Sequence, residues 1–285
     1  MGDKRNVVIT SADLSAKYLS YLPLASASYN KINGMDLVLV LNLGDVFPKR
    51  IIEFCESWAK VRVLSLVTGV DPGVQAKISR MWVAASEEFG NAQITLCDLD
   101  MIQVDDVRAK IISRYPGEDL IQWGYDHPSY SVEPDIGKWP MDGTTSLGNT
   151  FKSLVNPNEK KLVECFLDWS ACISFDKRSN PFNRFDKFSD ESLLKDLLTH
   201  SQYRPNVQRI PRMSIESRML RSRIDKASRA PIFPNRYFKT HNIHEFHGPR
   251  PFLPETRIGR VLLERLGVDP GEYKVFISEL NHLLD

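Results

Sequence analysis

The sequence predicts an α/β domain: a mixed, mostly parallel sheet flanked by helices, closed by helices at the C-terminal end. Three observations carry this expectation. Short apolar runs alternate with longer segments of helical period through the first hundred residues. In the run Asp36-Leu37-Val38-Leu39-Val40-Leu41, the five residues after the aspartate are apolar without alternation, as a strand covered on both faces must be. Each intervening helical segment is long enough to cross back over the sheet and start a parallel neighbour.

In order, Asn6–Thr10 reads as a buried strand and Leu14–Ile32 as a helix. After the strand Asp36–Leu41, Pro48–Trp58 reads as a helix whose proline suits a first turn, where the missing N–H costs nothing. Val61–Val67 is the third strand. Pro72–Phe89 is a helix with Asp71 placed as its N-cap. Ala92–Leu96 is a strand that runs directly into Asp98-Leu99-Asp100. In sheets of this β-α-β pattern, ligands bind beyond the carboxyl ends of the strands, which is where that acidic pair falls. The second half is less regular. Asp119–Trp123 reads as a strand, and Gly137–Gly148 and His241–Pro254 as loops. Glu159–Ala171, Asp190–Leu198, Ile215–Ala227, Arg257–Leu266 and Glu272–Leu284 read as helices. The organisation expected is one domain over 1–255, with helices 256–285 packed on it.

Composition bounds the function. Charged residues make up 26% of the 285 and the formal net charge is +1, so no global field points to nucleic acid or to a membrane surface. The charge is uneven: residues 201–250 hold eleven Lys or Arg against three Asp or Glu. A stretch of that kind suits phosphates, carboxylates or a solvated face. Cys55, Cys97, Cys165 and Cys172 fit neither a zinc site nor a C-x-x-C pair, and scattered thiols fit a reducing compartment. The leading apolar run, Val7-Val8-Ile9, is too short for a signal peptide, and no apolar run approaches the roughly 18 residues of a membrane helix. The expectation is a soluble, cytoplasmic protein with no membrane span.

Two carboxylates at Asp98 and Asp100, just past a buried strand, can converge on one hard cation. Oxygen ligands suit Mg2+ or Mn2+, and such a cation bridges diphosphate oxygens and neutralises charge on a leaving nucleotide. A bare D-x-D is equally at home in a solvated turn; the position at a strand's carboxyl end is what lifts this one.

Gln75-Ala76-Lys77-Ile78-Ser79-Arg80-Met81, followed by Ile94-Thr95-Leu96-Cys97-Asp98-Leu99-Asp100-Met101, resembles the glycosyltransferases of the GT-A (Rossmann-like) fold. It is most similar to the small soluble glycosyltransferases of large DNA viruses such as the chloroviruses, which build capsid glycans. The resemblance covers about the first 150 residues well and the rest in patches. It implies a metal-dependent transferase, hexosyl or pentosyl, that moves a sugar from a nucleotide-sugar to a hydroxyl of a glycan acceptor. UDP-sugars, UDP-xylose among them, are the donors it points to, and the host cytoplasm is the location if the source is viral. It divides the domain into a nucleotide-binding half, 1–103, and an acceptor and catalytic half, 104–255.

Residue by residue, the resemblance implies that Thr10, Ser11 and Asp13 hold the nucleoside, with Tyr18 near the base. Lys77 and Arg80, three apart on one helical face, would meet the donor's phosphates or sugar. Asp98 would reach the ribose or sugar as well as the cation, and Asp100 would bind Mn2+ or Mg2+ more directly. The third ligand is expected in His241-Asn242-Ile243-His244-Glu245-Phe246-His247-Gly248, as His247 or alternatively His244. Arg250 would contact the β-phosphate with a forked, charge-assisted bond. Trp139 and Asp142 would line the sugar and acceptor pocket. Asp190, with Glu191 as fallback and pocket residue, would take the acceptor's proton as it attacks, giving inversion. Ser189 and Asp190 also suit a helix start, where acids belong.

Three rivals remain. A haloacid-dehalogenase-type phosphatase also uses D-x-D, but near the start of the chain and with Thr or Val where Ile102 stands. A sugar nucleotidyltransferase needs a Gly-rich basic loop after the first strand, which Thr10-Ser11-Ala12-Asp13-Leu14 lacks. A nucleic-acid-binding module would use the Arg-rich stretch 202–229, although no binding-domain pattern accompanies it.

Overall fold

The computed structural model describes residues 5–44, 48–104, 106, 110, 112–115, 119–123, 144–169, 189–203, 205–210, 245–247 and 252–284. Their strands are β1 (Asn6–Ala12), β2 (Asp36–Leu43), β3 (Lys60–Ser65), β4 (Gln93–Leu96), β5 (Met101–Gln103), β6 (Leu120–Trp123), β7 (Thr145–Leu147), β8 (Val207–Ile210) and β9 (Glu245–His247). The helices are α1 (Ala16–Leu19), α2 (Leu22–Ser26), a π-helix (Ala27–Ile32), α3 (Lys49–Glu56), α4 (Pro72–Ala84), α5 (Gly148–Val155), α6 (Leu162–Trp169), α7 (Ser189–His200), α8 (Arg257–Leu266) and α9 (Pro270–Leu284).

Seven strands form one sheet in the order β3-β2-β1-β4-β7-β6-β8, and β5 pairs with β9 separately. The first four are parallel; β7 lies antiparallel between β4 and β6, and β8 is parallel to β6. The chain builds outward from β1 to β3, then returns to place β4 on the other side of β1. That reversal opens a crevice at the carboxyl ends of β1 and β4, the usual ligand position in such sheets.

Two apolar layers cover the sheet. On one face Val8, Leu37, Leu39 and Leu41 meet Tyr21, Leu24, Phe252, Tyr273 and Phe276. On the other Val7, Ile9, Val38, Val40, Ile94 and Leu96 meet Val74, Ile78 and Met81 of α4 and Leu193 and Leu194 of α7. Residues 37–41 therefore alternate between two buried faces, which is why they carry no polar period. The C-terminal helices hold the first layer: the Tyr273 hydroxyl donates to the Ser20 carbonyl at 2.8 Å, and Phe276 stacks on Phe54 at 4.8 Å. Burial pushes the Cys55 thiol up to about 12.

The structure departs from the expected elements in several places, among them the unexpected strands β5 and β8. The helix expected over Leu14–Ile32 is broken at Ser20 and Tyr21, before Pro23, whose ring nitrogen has no proton to give, and its last six residues wind as a π-helix. Thr145–Leu147, expected in a loop, is the reversed strand β7, with α5 directly after it. Glu245–His247, also expected in a loop, is β9. Gly148 is required by a close approach at the start of α5. A Cβ there would lie 2.0 Å from the Phe89 carbonyl oxygen. Gly148→Ala is expected to cost about 1–3 kcal/mol through overpacking, read as a lower urea midpoint.

Candidate active site

α4 carries the site's arginine, and a polar network sets its position. The Asp71 carboxylate accepts from the Val74 N–H at 3.1 Å, capping the helix as expected. The Gln75 amide donates to Asn42 Oδ1 at 3.1 Å and to the Ser65 carbonyl at 2.8 Å, and accepts from the Val67 N–H at 2.7 Å. Asn42 donates to the Ser79 hydroxyl at 3.0 Å. From β1, the Ser11 hydroxyl donates to the Ala76 carbonyl. These bonds tie one face of α4 to the carboxyl ends of β1, β2 and β3 and fix its rotation about its axis.

Arg80 lies on this fixed helix with 2% of its side chain exposed. Nη1 donates to Asp98 Oδ1 at 2.8 Å, and Nη2 donates to Asp190 Oδ2 at 2.7 Å. One guanidinium thus joins the turn after β4 to the first turn of α7. The exposure of the two carboxylates differs: 29% for the Asp98 side chain and 8% for that of Asp190. A planar fork with two donor edges suits two separate carboxylates in a way a lysine ammonium does not.

Asp98 and Asp100 sit in a turn closed by the Met101 N–H donating to the Asp98 carbonyl at 3.0 Å. Asp100 is fully buried. β5 begins at the next residue and pairs antiparallel with β9, which sets Met101 opposite His247. The backbone register therefore brings the histidine strand alongside the acidic turn. Carboxylate oxygens such as those of Asp98 and Asp100 are the donors that suit Mn2+ or Mg2+. Among the described residues alone, no group of three such ligands is assembled.

The remaining expected residues divide as follows. Thr10 is fully buried at the carboxyl end of β1, and its hydroxyl has no hydrogen-bond partner among the described residues. Ser11 is engaged with α4. Asp13 and Tyr18 are half-buried beyond β1, and Tyr18 packs against the first apolar layer. Lys77 is half-buried on α4. Glu191 is buried beside Asp190. Trp139, Asp142, His244 and Arg250 lie outside the described residues, as do Ile215–Ala227.

Among the buried polar residues outside the sequence-predicted set, Gln122 stands out. Gln122 in β6 is fully buried, and neither its Oε1 nor its Nε2 has a hydrogen-bond partner among the described residues. It shares a face of β6 with Leu120, which packs in the layer of α4 and α7. Leaving a buried polar atom unbonded costs about 1–3 kcal/mol. A glutamine inside the otherwise apolar Leu120-Ile121-Gln122-Trp123 was the signal available in the sequence.

Compared by sequence, the chain matches no protein-family model and no curated protein. Compared by structure, it is similar to the glycosyltransferase GlyE of Streptococcus pneumoniae TIGR4, at 13% identity and TM-score 0.50. That match covers 98% of this chain and 64% of GlyE, so the chain spans less than two thirds of that protein. It is also similar to the galactosyltransferase LgtC, solved with donor and acceptor sugar analogues, at 11% identity and TM-score 0.51. Here the match covers 94% of this chain and 99% of LgtC. The mixed, mostly parallel sheet flanked by helices is the fold of the GT-A glycosyltransferases.

Proposed function

We propose that the chain is a metal-dependent glycosyltransferase that takes a sugar from a nucleotide-sugar, a UDP-sugar foremost, and passes it to a hydroxyl of a glycan acceptor. The observation that supports this most is the Arg80 bridge, which gathers Asp98 and Asp190 at the carboxyl end of a GT-A sheet. Asp98 and Asp100 would hold Mn2+ or Mg2+, with His247 or His244 as third ligand. The bound cation would supply charge neutralisation for the departing nucleoside diphosphate. Thr10, Asp13 and Tyr18 would receive the nucleoside, Lys77 and Arg250 the phosphates, and Trp139, Asp142, Glu191 and Gln122 the sugars. Gln122 offers both a donor and an acceptor to ring hydroxyls.

Two readings of Asp190 follow. As a base it takes the acceptor's proton and the anomeric centre inverts. The Arg80–Asp190 ion pair favours a second reading, in which Asp190 is a positioning residue that orients the sugar and the configuration is retained. Incubation with UDP-, GDP- and dTDP-sugars, Mn2+ and a glycan acceptor, followed by NMR of the product, tests both. Transfer from one nucleotide class is expected. A folded sample that releases nucleotide from none of them overturns the function, and the product's anomeric configuration decides the role of Asp190.

A further inference from the structure

The acidic turn is flanked by Cys97 and Met101, and a single phenol touches both. The Tyr29 hydroxyl donates to the Met101 carbonyl at 2.7 Å and lies 3.0 Å from the Cys97 sulfur. A phenol has one proton, and the Met101 carbonyl can only accept. The Cys97 S–H must therefore be the donor in the second contact. This gives a chain from thiol to phenol to carbonyl that joins the two residues flanking the Asp98–Asp100 turn. Tyr29 and Cys97 are both buried, at 1% and 0% exposure.

The neighbouring residue repeats the pattern one step along β5. The Ser28 hydroxyl donates to the Gln103 carbonyl at 2.8 Å and accepts from the Gln103 N–H at 3.0 Å. Successive residues of a strand direct their backbone groups to opposite edges, so residues two apart share one. Met101 and Gln103 thus turn theirs toward the π-helix, on the edge away from β9. Both hydroxyls come from the π-helix Ala27–Ile32. Its wider turn sets consecutive side chains at angles an α-helix would not give, and such turns recur at functional sites.

Resting on the function proposed above, we infer that Tyr29, supported by Ser28, is a positioning residue that holds the Asp98–Asp100 turn in the geometry that binds the cation. It touches neither metal nor donor. Its effect passes through the Cys97 thiol and the Met101 carbonyl.

Tyr29→Phe removes only the hydroxyl and keeps the ring in the core. The measurement is UDP binding by calorimetry across a Mn2+ titration, beside UDP binding without metal. The Mn2+ concentration for half-maximal enhancement is expected to rise about tenfold or more, as when outer-shell partners of metal ligands are lost. Metal-free UDP affinity and the saturating Mn2+ value are expected to match the wild type. An unchanged Mn2+ midpoint in a folded variant overturns the clamp while leaving the function standing. A wild type whose UDP binding ignores Mn2+ overturns both. If Tyr29→Phe does not fold, Cys97→Ala, which removes the thiol donor to the same phenol, is read in the same way, with a rise in the midpoint expected and no rise overturning the clamp.

Discussion

Replacing Arg80 with methionine is expected to lower stability by about 3–5 kcal/mol, the range for breaking a buried ion pair, and to abolish transfer. Methionine fills much of the same volume but supplies no charge. Asp190, with 8% of its side chain exposed, would keep a carboxylate with little access to water. Asp98, at 29%, can rehydrate and should contribute less. The urea midpoint should fall at unchanged slope. Adding Asp190→Leu should restore most of the loss, because an apolar pair of similar volume replaces a buried ion pair at little cost. Transfer should stay absent in the double variant. A single variant within about 0.5 kcal/mol of wild type, as for an ordinary surface change, would mean that the guanidinium does not organise the site.

Asp100→Asn is expected to reduce Mn2+-dependent donor binding by at least about 100-fold, since it removes an anionic ligand while nearly preserving shape. Asn keeps one carbonyl oxygen but gives up the charge that draws a hard cation. Metal-free binding of the nucleoside diphosphate should change little. Calorimetry with and without Mn2+ separates the two quantities, and equal losses in both conditions would assign Asp100 to the fold instead.

The parallel half of the molecule was legible because its physics is local. A strand covered on both faces must be apolar throughout, and residues 37–41 are. Asp71 before Pro72 reads as a cap because both residues suit the unbonded N–H groups of a first turn. The position of Asp98 and Asp100 followed from the strand before them. What could not be read depends on distant partners. β5 and β9 have three residues each, too few for any period, and exist through mutual pairing across more than a hundred residues of chain. Tyr29 and Ser28 looked like ordinary members of one long helix. Only the break before Pro23 and the wider turn that follows bring their hydroxyls to β5. The Arg80–Asp190 bond joins positions 110 residues apart, and no local pattern announces it. Arg80 and Asp190 could be chosen as candidates from the sequence, but their shared ion pair could not.

The proposed function requires a donor diphosphate held through a cation at Asp98 and Asp100. The most direct measurement is the affinity of the folded wild-type chain for UDP, by calorimetry, in the presence of Mn2+ and again in excess chelator. Binding is expected with Mn2+ and is expected to weaken by at least about tenfold when the metal is removed, a difference of about 1.4 kcal/mol or more. Equal affinity in the two conditions, or no binding of UDP, GDP or dTDP in either, would contradict it.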